Sequence, residues 1–190
     1  MIRTTLILFA VCFSALASAD WELAKSSSSL SFTSTKNETV TETHHFKELD
    51  GRVLDNGEVT FEINLFSVDT SIEIRDQRLK DLLFAIAPEA IFTAQIDLQE
   101  LKTMEPGVSV TKRIDGKLQL HGFQEPLTIN SKITGLDFGR IHVDGTGQID
   151  VSTFGYEDGI EELRTIAGLD SISTIVDFQI NLTFRIIEDS

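Results

Sequence analysis

Residues 67–95 read SVDTSIEIRDQRLKDLLFAIAPEAIFTAQ, and this stretch decides the fold class. Just before it, Val59, Phe61, Ile63 and Leu65 alternate with Thr60, Glu62 and Asn64, the period-two pattern of a strand with one dry face. Inside it, Leu79, Leu82, Leu83 and Ile86 fall three and four residues apart, which predicts a short amphipathic helix over about residues 76–86. After Pro88, the run Ile91–Ile96 is extended again. A single helix set between strands predicts a cap or plug on a structure otherwise built of strands.

Working outward, Leu30–Thr33 is a first strand, followed by a polar stretch from Ser34 to Thr43 that carries no apolar alternation. Asp50-Gly51 and Asn56-Gly57 are turn dipeptides, the second leading into the Val59 alternation as in a hairpin. Downstream, Glu105-Pro106-Gly107 marks a turn; Ile114, Gly116, Leu118 and Leu120 share one face. Leu127, Ile129 and Ile133, then Ile141 with Val143, then Ile149 with Val151 continue the pattern. Ile160, Leu163 and Ile166 predict a second helical turn over about residues 159–168. The final run is the most regular: Val176, Phe178, Ile180, Leu182, Phe184 and Ile186 alternate with polar residues throughout. At roughly 3.4 Å per residue it covers about 35–40 Å, a length suited to a tilted barrel stave. Some eight short strands with regular turns predict a sandwich or barrel, and no repeat or linker divides the chain.

The first residues predict a compartment. Arg3, an apolar run from Leu6 to Ala17 and the small residues Ala17-Ser18-Ala19 form a cleavable signal peptide over residues 1–19, leaving 20–190 as one domain in a periplasmic or secreted protein. Cys12, the only cysteine, leaves with it, so the remaining chain has neither disulfide nor thiol chemistry. The chain carries 16 basic against 30 acidic residues, a formal net charge of −14. That surface argues against nucleic acid and anionic membranes, which reward clustered Lys and Arg, and serves solubility. No second apolar run is long enough to span a bilayer, so stable membrane insertion is not expected.

Several of these segments together resemble the bacterial YceI-like family. They are Leu49-Asp50-Gly51-Arg52-Val53, the Ser71–Lys80 run SIEIRDQRLK, Ile91-Phe92, Gly116–Gly122 (GKLQLHG) with Pro126, and Val151–Tyr156 (VSTFGY). They occur in the family's order across nearly all of the chain after the signal peptide. Thr43–Gly51 and Leu82–Ile86 depart from the usual pattern. The resemblance implies an all-β, eight-stranded antiparallel lipocalin-like barrel, an elongated apolar cavity and no catalytic residues. It also implies a long-chain lipid ligand such as a polyisoprenoid, a quinone or a fatty acid derivative, and no other cofactor.

The residues themselves leave two readings open. The dry faces are almost purely aliphatic and Phe, with thirteen Phe in the chain against one Tyr and one Trp, which suits a long hydrocarbon better than a sugar or nucleotide. A periplasmic carrier would line its cavity with Phe61, Ile63, Leu65, Leu79, Leu83, Ile129, Phe178, Ile180 and Phe184, while Arg75 stands at the rim. The alternative is a non-catalytic interaction module, whose dry faces fill a solid core and whose surface meets another periplasmic or membrane protein. Arg75, Arg78 and Lys80 could meet a charged head group or be solvated and paired. His44 and His45 are adjacent on an extended segment and so point to opposite faces, which with no third spaced ligand predicts no metal site. His121 belongs to a turn and His142 to the polar side of its strand. No Gly-x-Ser-x-Gly or His-Glu-x-x-His motif occurs, and Glu161-Glu162 reads as a solvated helix face, so the chain is not expected to be an enzyme. Whether it is a monomer or a homodimer is not set by the sequence.

Overall fold

The long alternation at the end of the chain becomes one stave of a barrel. A computed structural model describes residues 19–137 and 139–188; the segment expected to be a signal peptide lies outside the described residues, with Cys12, except for Ala19, which opens the first strand. β11 (Ile175–Glu188) buries Ile180, Leu182 and Phe184 and turns Asp177, Gln179 and Arg185 outward. One of its edges pairs with β10 (Arg140–Asp150). From there the sheet passes through β9 (Phe123–Asp137), β8 (Ser109–Leu120), β7 (Glu89–Gln95), β5 (Glu58–Asn64), β4 (Leu49–Val53) and β1 (Ala19–Leu23), and β1 returns to β11. Every neighbouring pair is antiparallel, and the ring of eight strands closes, as the sequence predicts.

Three further strands lie beside the ring because three staves are broken in the middle. β11 pairs at Phe184–Glu188 with β1 but at Phe178–Asn181 with β2 (Ser29–Lys36), the chain bending between them at Lys25–Ser27. β3 (Val40–Phe46) precedes β4 in the same way, and β6 (Val68–Asp69) follows β5 after the turn Leu65–Ser67. The breaks in β3–β4 and β5–β6 adjoin: Ser67 Oγ accepts the Lys47 and Glu48 N–H groups, each at 3.0 Å. Past the breaks the order β2–β3–β6 ends at β6, which is an edge.

The polar stretch from Ser34 to Thr43, which shows no strand in its apolar pattern, is the end of β2, a turn at Asn37 and Glu38 (φ 48° and 61°), and the start of β3. Its alternation is real but polar: Glu42, His44 and Phe46 face in, and Thr41, Thr43 and His45 face out.

The opening left by the broken staves is filled by helix. α1 (Glu73–Leu79) runs straight into a π turn, Lys80–Phe84, starting three residues earlier than predicted, and it touches β6. The second helical turn is a full helix, α3 (Glu157–Ala167). It stops at Gly168, whose φ of 62° is left-handed, with Leu169 N–H bonded to Arg164 O at 3.1 Å. α3 packs on the π turn through Gly159, where a Cβ would stand 2.5 Å from Leu83 Cδ2 and 2.7 Å from Leu82 O. At the opposite end a short helix, α2 (Gln99–Lys102), seals the barrel with Leu98 and Leu101, both buried. Among the described residues no helix is long and apolar enough to cross a membrane.

Candidate functional site

The barrel is solid in one half and hollow in the other. In the half closed by α2, Trp21, Leu23, Val53, Ile133, Ile141, Leu182 and Phe184 are all buried. Their strands are in direct register, Trp21 opposite Val53 and Leu23 opposite Phe184. In the half covered by α1, the π turn and α3, a cavity of about 470 Å³ remains, within the ~300–1,000 Å³ of small-molecule sites.

Nine of the ten residues expected from sequence line that cavity. Phe61, Ile63 and Leu65 come from β5 and the turn after it, Ile129 from β9, Phe178 and Ile180 from β11, and Leu79, Leu83 and Arg75 from the lid. Phe184 does not; it lies in the solid half, where its ring is 3.4 Å from the place of a Cβ on Gly51. Alternation sets which face a residue takes, not its depth along the barrel, so Phe184 could not be told from Phe178. The lid also departs from the helical reading. Ile86 would close the cavity in an α-helix, yet it is 82% exposed, and Phe84, at 7%, takes the inward place. The helical run ends with the π turn at Phe84, with Ala85 its C-cap, so Ile86 falls in the bend beyond it and no longer shares the lid's inner face.

An aromatic wall crosses the cavity. Phe32 stacks on Phe46 (5.0 Å between ring centres), Phe46 meets Phe84 at 6.2 Å, and Phe84 meets Tyr156 edge-on at 6.3 Å. Tyr156 in turn stacks on His121 at 4.7 Å. His121 sits in the β8–β9 turn with φ 52°, and its Nδ1–H donates to Phe154 O at 2.9 Å. The Tyr156 hydroxyl is buried with no partner, and burial pushes its pKa well up.

Polar groups gather at one margin, where β2 and β3 face α1. Arg75 Nη1 donates to Glu42 at 2.6 Å and Nη2 to Thr70 O at 3.0 Å. Lys36 also pairs with Glu42. The hydrogen bond from Lys36, followed by that from Arg75, holds the Glu42 carboxyl below the usual carboxylate range. Asp76 Oδ1 accepts from Thr70 N–H at 2.8 Å and from its hydroxyl at 2.5 Å, fixing the turn before α1. Arg78 lines the cavity beside Arg75; Lys80, third of the basic trio, does not. His44 is 3% exposed on the cavity wall, with Nε2 2.9 Å from Ser34 Oγ. Burial, aided by the nearby Arg75 charge, lowers its pKa and keeps the ring neutral.

The remaining candidates lie elsewhere. His45 is exposed on the opposite face from His44. His142 bonds Thr183 Oγ1 at 3.1 Å on the outer side of β10, and Glu161 is paired with Arg164 at 2.6 Å on the surface of α3. No group of three or more metal-ligating side chains occurs among the described residues. Sequence reasoning missed Lys36, His44, Phe46, Phe84 and Tyr156 as lining residues. A period-two reading that admitted polar residues on the inner face of Thr41–Phe46 would have found His44 and Phe46.

The YceI-like domain model matches residues 21–184. A polyisoprenoid-binding domain from Saccharophagus degradans, implicated in plant cell wall breakdown, is 32% identical and superposes with a TM-score of 0.83, covering 87% of this chain and 97% of its own. BcnA of Burkholderia cenocepacia shares the fold at 16% identity and a TM-score of 0.64, over 85% of this chain and 98% of its own. A YceI protein of Campylobacter jejuni does so at 18% and 0.50, over 77% and 84%. No curated relative matches the sequence. With the family model spanning the barrel from Trp21 to Phe184, this chain belongs to the YceI-like family.

Proposed function

We propose that this protein is a non-catalytic carrier that encloses the hydrocarbon of a long-chain amphiphile in the lidded half of its barrel, and that it works in the periplasm or outside the cell. The observation that carries this reading is the cavity of about 470 Å³ walled almost entirely by aliphatic and Phe side chains. Each methylene moved from water into such a wall contributes about 0.8 kcal/mol, so a long chain binds tightly with few polar contacts. The Saccharophagus relative, described as polyisoprenoid-binding, supports the same ligand class. The hollow half counts against an interaction module with a core solid throughout.

The test is to purify the protein from its native host, extract it with organic solvent and analyse the extract by mass spectrometry, with native mass spectrometry on the intact protein. A lipid adduct of stoichiometric abundance is expected. Bare protein that also takes up no apolar probe would sink the carrier reading.

A further inference from the structure

Charge at the cavity runs against the rest of the chain. In a protein with nearly twice as many acidic as basic residues, three cations, Lys36, Arg75 and Arg78, line the cavity, and among the described residues no carboxylate does. Glu42, on the inward face of β3 at the margin of the cavity, pairs with two of them, Lys36 and Arg75. Arg78 lies three residues on from Arg75 in the same helix, hence on the same face, and pairs with no acidic group among the described residues. Positive charge beside an apolar wall is poorly screened.

Donors are left over as well. Arg75 Nε is buried and unpaired. So is Nδ1 of His44, a side chain 3% exposed on the cavity wall, its ring edge-on to Phe32 at 5.3 Å. When the Ser34 hydroxyl donates to Nε2, the ring hydrogen stands on Nδ1 and His44 becomes a donor into the cavity. Buried donors without acceptors are costly, and an anion supplies both acceptors and the missing negative charge.

We infer that Arg78, with the free donors of Arg75 and His44, holds the anionic head group, carboxylate or phosphate monoester, of a single-chain amphiphile whose tail lies along the Phe32–Phe46–Phe84 wall. This assignment rests on the hydrocarbon cavity being the binding site. A neutral head, such as an alcohol or ketone, leaves the Arg78 charge uncompensated, so the site selects against it.

The experiment uses delipidated protein and the neutral apolar dye N-phenyl-1-naphthylamine. Hexadecanoate, hexadecyl phosphate and hexadecanol, which share one chain length, compete for the dye. The anions should displace it at concentrations lower than the alcohol by about tenfold or more, as a charge-assisted arginine contact supplies. Arg78→Gln should remove that advantage and leave hexadecanol unchanged, while Arg78→Lys keeps part of it. The ratio of the two anions tells which head group the site prefers. Equal displacement by all three, or an anion advantage that survives Arg78→Gln, overturns the assignment while dye uptake still upholds the cavity. A folded protein that takes up no dye overturns both.

Discussion

Glu42 and His44 occupy positions that the β3 alternation assigns to the interior, and their chemistry makes acid sensitivity a local property. A histidine in the unfolded chain takes up a proton near pH 6.5, whereas buried, neutral His44 resists it. The unfolded state therefore binds more protons below that point, so the His44 contribution is complete above about pH 6.5 and is lost as pH falls from there toward the depressed folded value. Glu42, whose carboxyl is held below its ordinary 4.5, loses its contribution only further down. Urea unfolding at steps between pH 7.5 and pH 5.5 should show a falling midpoint, and His44→Phe should flatten that slope without altering the drop below pH 4.5. A slope unchanged in the variant would move the effect to another group. Gly116 gives a second expectation at this scale. A Cβ there would sit 2.4 Å from both Phe92 Cζ and Thr93 O, and a backbone atom cannot yield as a side chain can. Gly116→Ala should cost about 1–3 kcal/mol of stability, read from the denaturation midpoint.

Among the elements, the lid is the one whose reading from sequence was half right, and the reasons are particular. Leu79 and Leu83 announce an apolar face, and both line the cavity. Ile86 belongs to the same face only if the helix runs on to reach it, whereas the helical run stops at Phe84 in the π turn; nothing in Leu82–Ile86 advertises that early end. β3 failed to show itself for the opposite reason, because its inner face carries the polar groups of the site. Gly159 ties the lid together. In a helix, glycine costs about 1 kcal/mol relative to alanine, yet here the Cβ would strike Leu83 and the Leu82 carbonyl. Gly159→Ala should therefore loosen α3 from the π turn despite its better helix propensity. The expected readout is faster release of a bound apolar dye and faster amide exchange across 79–84, with the β8–β10 amides unchanged. Slower exchange in the lid would show that helix propensity outweighs the clash.

On the scale of the whole molecule, the alternations of residues 59–65, 114–120 and 176–186 made strands of a sandwich or barrel legible, and the family resemblance chose the closed eight-stranded ring that is found. What was not legible is the division of the barrel into a solid and a hollow half. Phe178 and Phe184 are six residues apart on the same face of β11 and have opposite roles, because depth is set by which end α2 seals and which end the helical lid covers. Amide exchange should map this division directly. The slowest amides are expected in β1, β4 and the parts of β9–β11 around Ile133, Ile141 and Leu182, and the fastest within structured elements in α1 and the π turn. Uniform protection along β11 would contradict it.

The broken staves leave β6 as an unpaired strand edge, and α1 touches it. Such an edge, once bare, is a template for pairing with another chain. The helix that shuts the cavity is thus also a guard against self-association, with Ile72 and Ile74 exposed on or beside it. On the carrier reading proposed above, opening to admit a ligand would uncover hydrocarbon wall and strand edge in the same movement. An occupied molecule, held shut by its cargo, should stay monodisperse under conditions in which the emptied one accumulates as aggregates, an outcome that would make the ligand a folding partner as well as a passenger.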